Sequence, residues 1–61
     1  MKTGKYRYFS FTDQEWVNVT AEQDGNKVYM EKENGAYYGL ILLPVWNEKK
    51  SRGFIKEGWE D

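Results

Sequence analysis

The chain contains no cysteine and no histidine, and it has a single proline. Without cysteine no disulfide bond can stabilise the fold, and without cysteine or histidine the usual ligands of a structural zinc site are missing. The same absences remove the side chains that most often serve as nucleophile or as general acid and base. No phosphate-binding loop or other catalytic motif is present. We therefore expect a protein with no catalytic residue, no metal and no cofactor.

The chain is short, and it also lacks long apolar segments. The chain has 61 residues, and its longest apolar run extends from Ala36 to Trp46 and includes Gly39 and Pro44. This run is much shorter than the about 20 residues that a membrane-spanning helix needs. The N-terminus has no apolar core of a signal peptide. We expect a single cytoplasmic domain, a complete small gene product, that does not enter a membrane.

Neither sign of charge is in clear excess, whereas aromatic residues are abundant. Nine Lys or Arg residues stand against ten Asp or Glu residues, which gives a net charge of -1. This balance provides no overall attraction to nucleic acid or to an anionic membrane, so binding to either needs a local patch. Trp, Tyr and Phe make up 18% of the chain. We expect an aromatic core, with self-association as a second source of stability in so small a domain.

Two turn motifs divide the middle of the chain, Asp24-Gly25-Asn26 and Asn34-Gly35. Both are typical of tight hairpin turns, because Gly and Asn accept the positive φ angles that such turns require. Between the turns, Val28 and Met30 alternate with more polar residues, which predicts a half-buried strand over 27–33. The middle of the chain is therefore predicted to be a run of hairpins.

Further strands are predicted towards both ends. The run from Lys5 to Phe11 is rich in Tyr and Phe and favours a strand. Residues 52–56 predict a short last strand after a polar loop at 47–51. With turns at regular intervals, the chain is predicted to be mainly β, a single antiparallel five-stranded meander or small barrel of the SH3-like or OB-like kind.

Residues 12–25 allow two interpretations. Thr12 to Glu15 fits a capping box, and a glycine stands where a helix would end. A helix at about 13–24 packed on the sheet, giving an α+β fold, is the alternative. Val17 and Val19 are β-branched and alternate with polar residues, which favours a strand instead. We expect a strand here.

The C-terminal quarter of the chain has an ordered series of aromatic residues and a glycine. Trp46 is followed by a turn, then by Gly53-Phe54-Ile55 and then by Trp59. This order resembles the end of an SH3 domain, which implies an SH3-like fold. Lys56 stands where that family has Pro, the Trp is single, and the acidic and aromatic motif near the N-terminus of the family has no counterpart. The resemblance is therefore not extended to the binding of proline-rich peptides.

Both faces of the strand predicted after Asn34-Gly35 are apolar. Alternate residues of a strand point to opposite faces, so one face forms core and the other is either covered by a helix or exposed for association. Pro44 cannot donate to a ladder and places the strand end at an edge or a bulge, where a partner can add a strand. The expected partner-binding residues are Tyr37, Tyr38, Leu40, Leu42 and Trp46.

A basic and aromatic segment near the C-terminus indicates single-stranded nucleic acid as the alternative ligand. Cations neutralise phosphates and rings stack on bases, so a combination of both is typical of such sites. The candidate residues are Trp46, Lys49, Lys50, Arg52 and Phe54. The stretch from Lys5 to Tyr8 also alternates cations with rings, but on a strand the two kinds face opposite sides.

The principal functional hypothesis is a small non-enzymatic protein-binding module. Inhibitors, adaptors and accessory proteins of phages and mobile elements are often of this kind, an argument by analogy with a class. The expected partner is a larger protein or a second copy of the chain. The alternative is a single-stranded nucleic-acid-binding protein.

Overall fold

A computed structural model, which describes residues 3–60, contains one five-stranded antiparallel sheet and one helix. The elements are β1 (Gly4–Ser10), β2 (Glu15–Asp24), β3 (Lys27–Lys32), β4 (Tyr37–Leu42), α1 (Leu43–Ser51) and β5 (Ile55–Glu57). The strand order is β4-β3-β2-β1-β5, so the first strand lies between the second and the last. The prediction of a mainly β fold with five antiparallel strands is confirmed.

The sheet is open. Within residues 3–60 its two edges, β4 and β5, do not pair with each other, and no barrel is closed. The finer assignment to an SH3-like or OB-like barrel is therefore not confirmed. Helix α1 connects the two edges on one face of the sheet, which we call the inner face, and we call the opposite face the outer face.

Residues 12–25 form strand β2, the turn before it and the first residue of the turn after it, so the prediction of a strand is confirmed and the alternative helix at 13–24 is wrong. Val19 and Ala21 are fully buried on the inner face, and β2 pairs with β1 on one side and β3 on the other. The residues that fit a capping box form a turn instead. There the backbone N–H of Asp13 donates to Oγ of Ser10 at 3.3 Å.

Helix α1 occupies the place of the predicted polar loop, so that prediction is wrong, whereas the strand before Pro44 does lie at an edge of the sheet as expected. Pro44 lies in the first turn of the helix, where its missing N–H costs no hydrogen bond. The residues of the predicted loop at 47–51 form the second half of the helix. The helix ends where the N–H of Arg52 donates to the carbonyl of Glu48 and Gly53 adopts a positive φ of 84°.

The core lies between the inner face and α1. Trp46 is the one buried residue of the helix, and its ring meets the ring of Tyr6 edge to face, with centroids 5.0 Å apart. The remaining buried apolar side chains come from the central strands and from β5. The core residues are Val19, Ala21, Val28, Met30, Trp46 and Ile55.

Because of Tyr8 on the inner face, we expect the stability of the fold to decrease at alkaline pH. Burial, and to a smaller extent neighbouring Tyr38, raises the pKa of Tyr8 above its usual value of 10.0. The native state therefore holds a proton that the unfolded chain releases. This contribution is complete below about pH 10 and is lost as the pH rises towards the raised pKa. In urea unfolding over this range, we expect the stability of Tyr8→Phe to fall less steeply than that of the wild type; equal slopes would contradict the assignment.

Candidate functional site

Strand β4 is an edge that its composition does not protect. Its six residues include no charged side chain and no proline. The other edge, β5, has three residues, of which Lys56 and Glu57 are charged. Short and charged edge strands resist pairing with another chain, whereas longer apolar ones invite it. The two edges of the sheet therefore differ in their capacity to accept a further strand.

The hydrogen-bonding pattern determines which backbone groups of β4 face this open edge. The N–H of Leu43 donates to the carbonyl of Asn26 at 2.6 Å, which fixes the alternation of the β3–β4 ladder. In an antiparallel ladder every second residue turns its backbone groups away from the neighbouring strand. Leu40 lies opposite Tyr29 in such a position, so its N–H and carbonyl point away from β3.

A β-bulge changes which side chains of β4 share a face. Met30 lies opposite Gly39 while Glu31 lies opposite Tyr37, so Tyr38 is an additional residue in the strand. Tyr38 turns to the inner face, where its ring centroid is 5.7 Å from that of Tyr8. Tyr37 remains on the outer face with Leu40 and Leu42, which simple alternation does not predict.

Four exposed side chains form what we call the edge patch, namely Tyr29, Tyr37, Leu40 and Leu42, with exposed fractions of 39%, 67%, 42% and 49%. Tyr29 comes from β3 and lies directly opposite Leu40. An exposed patch of large apolar side chains is a common mark of an interaction surface. The edge patch lies beside the open backbone of β4, so a single partner segment can contact both.

The structure brings together three of the five residues predicted to bind a partner. Tyr37, Leu40 and Leu42 belong to the edge patch, whereas Tyr38 is half-buried on the inner face. Trp46 is only 2% exposed and has no surface to offer a ligand of either kind. The sequence did contain an indication of the missed residue Tyr29, because it occupies an outward position between Val28 and Met30.

Leu42 has an unusual local role. It is the N-cap of α1, and no side chain caps the helix there and no acidic residue lies in the first turn. Leu is among the poorest residues at an N-cap, where Ser, Thr, Asp or Asn would accept a hydrogen bond from the helix. Leu42 is also about half exposed, so neither capping nor burial accounts well for an apolar side chain at this position.

The residues of the alternative basic site point in several directions. Lys50 forms an ion pair with Glu57 at 3.1 Å, and Arg52 forms one with Glu48 at 3.1 Å. Lys49 lies over the ring of Phe11, with 4.8 Å between Nζ and the centroid. A small groove of about 260 Å³ collects part of the set, and its lining residues are Phe11, Val45, Glu48, Lys49, Arg52 and Phe54.

Two other kinds of site are absent from residues 3–60. Within residues 3–60 no group of three acidic side chains is placed to hold a metal ion. Nor does the described part of the chain contain a helix with the length and apolar character to cross a membrane. Comparison with known proteins gives no relative: no family model matches the chain, and neither does any curated protein or solved structure.

Proposed function

We propose that the protein is a non-enzymatic protein-binding module that acts through strand β4 and the edge patch. The observation that supports this proposal is the combination of an uncharged edge strand with four exposed large side chains on one face. An apolar edge of this kind is a liability unless something covers it. If the protein is an inhibitor, adaptor or accessory protein, its bound partner covers this edge.

The proposed mode of binding is the addition of a sixth strand to β4. The partner segment pairs with the backbone of Leu40, and its apolar side chains rest on the edge patch. Tyr29 and Tyr37 suit this role, since Tyr provides a large contact area with a polar end and is enriched at interfaces. The partner is a larger protein or a second copy of the chain, and in a symmetric dimer the two β4 strands would pair with each other.

Leu42 supports the same proposal, because an apolar residue at this position leaves helix α1 without a capping hydrogen bond. A capping residue at this position would contribute about 1 kcal/mol to the stability of the helix, and Leu42 contributes no such hydrogen bond. A small domain with little stability to spare gains from a cap. The apolar side chain is therefore explained better by a contact outside the chain than by the fold.

Leu40→Lys is expected to weaken association strongly while the fold is retained. Leu40 and Val45 are exposed to 42% and 41%, but Val45 lies on α1 outside the edge patch, so Val45→Lys is a matched control. We expect Leu40→Lys to weaken association by about 30-fold or more, as for a central interface residue, and Val45→Lys to leave it unchanged. Sedimentation over a concentration series measures self-association, and capture from a lysate measures binding to other proteins. Equal loss of binding in both variants would contradict the proposal.

Leu42→Asp is expected to weaken association while it leaves the stability of the fold nearly unchanged. The new carboxylate caps α1 and interacts favourably with the positive end of the helix dipole, which offsets the loss of a half-buried Leu side chain. We expect the free energy of unfolding in urea to change by less than about 1 kcal/mol. Association is expected to fall as strongly as in Leu40→Lys. Retained association in a folded Leu42→Asp variant would exclude Leu42 from the interface.

A further inference from the structure

The outer face of β5, β1 and β2 presents a row of rings followed by a row of cations. Phe9 lies opposite Trp16 of β2, and its N–H donates to the carbonyl of Phe54 at 2.9 Å. The ring centroid of Phe9 is 5.3 Å from that of Trp16 and 6.1 Å from that of Phe54. Strands β1 and β2 and the residue just before β5 therefore contribute one ring each, and the rings lie next to one another across the sheet.

The next row, two residues further along each strand and about 6.7 Å away, contains two cations. Arg7 lies directly opposite Lys56, and on its other side it lies opposite Asn18. Like charges that face each other across an antiparallel pair destabilise a sheet. Within residues 3–60 the ion pairs engage Lys50 and Arg52, and they leave Arg7 and Lys56 without a carboxylate. The Nε atom of Arg7 is buried and has no hydrogen-bond partner.

Another ring, that of Trp59, lies on the side of these cations opposite to the row of Phe9, Trp16 and Phe54. Trp59 is half-buried, donates its Nε1–H to the carbonyl of Val19 at 2.7 Å, and has Nζ of Lys5 4.6 Å from its centroid. Lys5 is on the outer face because its neighbour Tyr6 points into the core. Along β1 the order is therefore rings, then Arg7 with Lys56, then Lys5 with Trp59.

Carboxylates mark the boundary of this surface on the β2 and β3 side, where Glu15, Glu33 and Glu60 line a groove together with Trp16 and Asn18. Glu31 lies opposite Thr20, and Glu33 accepts a hydrogen bond from Asn18 at 2.9 Å. The positive side of the outer face is thus confined to β1 and β5. A chain of anions would follow these two strands rather than cross the sheet.

We propose that this surface binds single-stranded nucleic acid, with the phosphates at Arg7 and Lys56 and with bases stacked on Trp16 and Trp59. The surface is separate from the edge patch, so it adds a second binding activity and does not depend on the proposed association through β4. Trp16 is 38% exposed and has Nζ of Lys56 5.0 Å from a ring centroid, which places a cation beside an available stacking surface. The sequence-based candidates for nucleic-acid binding lie elsewhere, apart from Phe54.

The chemistry of the surface favours unpaired nucleotides over other anions. Single-stranded nucleic acid offers flat rings next to phosphates, and proteins bind it by pairing cationic grooves with aromatic stacking. A duplex keeps its bases stacked inside, and an acidic peptide brings charge without flat rings. The rings on both sides of the cations therefore favour the first of these ligands.

The test is fluorescence anisotropy of a labelled oligothymidylate of about 16 nucleotides, measured at several salt concentrations with the full chain and three variants. Lys56→Glu changes the proposed site, and Lys27→Glu makes the same change of charge beside the edge patch. We expect the first to weaken binding tenfold or more and to reduce the salt dependence, and the second to change binding by less than about twofold. Trp16→Ala is expected to weaken binding about fivefold or more without changing the salt dependence.

Each of the other outcomes overturns the proposal. No saturable binding of the oligonucleotide at low salt removes it outright. Equal losses in Lys56→Glu and Lys27→Glu would assign the binding to overall charge. If an abasic oligonucleotide binds as tightly as the oligothymidylate and Trp16→Ala has no effect, the surface is an anion site without stacking. Circular dichroism establishes that each variant is folded, and Lys56→Gln replaces Lys56→Glu if the reversed charge disturbs the sheet.

Discussion

Trp46→Ala is expected to leave the protein largely unfolded at room temperature. Trp46 is buried between α1 and the sheet, and its ring packs against Tyr6. Replacing a buried Trp with Ala costs about 3–5 kcal/mol, because apolar contacts are lost and a cavity remains. The core of a domain of this size rarely supplies more than about 3–5 kcal/mol in total. The substitution therefore removes most or all of the stability of the fold.

Circular dichroism with a urea titration measures this effect. Trp46→Phe retains a ring in the core and is expected to fold with a smaller loss of stability. Trp16→Ala is the control for the loss of a tryptophan in general, since Trp16 is on the outer face and 38% exposed, whereas Trp46 is 2% exposed. We expect it to cost about 1 kcal/mol or less. A well-folded Trp46→Ala variant would mean that α1 does not depend on this contact and that the core is placed incorrectly.

Ala21→Lys is expected to be the second most damaging substitution, whereas Glu22→Lys next to it is expected to be nearly neutral. Ala21 is fully buried on the inner face between Gly4 and Met30, and Glu22 is exposed on the outer face. Lysine at the first position overfills the core and brings a charge out of water without a partner. The combined cost is on the order of 4 kcal/mol or more.

The pair of variants also tests the strand character of β2. At adjacent positions of a strand the same substitution meets opposite environments, and a shift of one residue in register would exchange the two results. We expect Glu22→Lys to change the midpoint of urea unfolding very little, as most exposed substitutions do. A destabilised Glu22→Lys together with a stable Ala21→Lys would show that the faces of β2 are assigned the wrong way round.

The strands could be predicted because their determinants are local. Gly25 and Gly35 have positive φ angles of 63° and 88°, as the two turn motifs require, and Val28 with Met30 identifies the buried face of β3. Helix α1 could not be predicted in this way. It is short, it buries only Trp46, and the rest of its sequence is polar enough to resemble a loop.

The candidate sites depend on relations that no sequence window contains. Leu40 and Leu42 follow from alternation, but Tyr37 joins them only because a bulge opposite Met30 inserts Tyr38. That β4 is an edge follows from the strand order, which places β5 next to β1. On the outer face, Trp16 comes near a lysine only through the pairing of three strands. Lys5 and Arg7 alternate with Tyr6 and Tyr8 in sequence, but their aromatic neighbours on the surface come from elsewhere.

The position of β5 in the sheet has a consequence for the order of folding. Strands β1 to β4 form hairpins between sequence neighbours, and such contacts close quickly because little loop entropy is lost. The pairing of Tyr8 with Ile55 joins distant parts of the chain, with three strands and α1 between them. Until it forms, β1 has an unpaired side, and a growing chain on the ribosome exposes that side until β5 has been made. We therefore expect the charged strand β5 to pair with β1, and so to become the edge strand, only in the last step of folding. The outer side of β4 stays unpaired throughout.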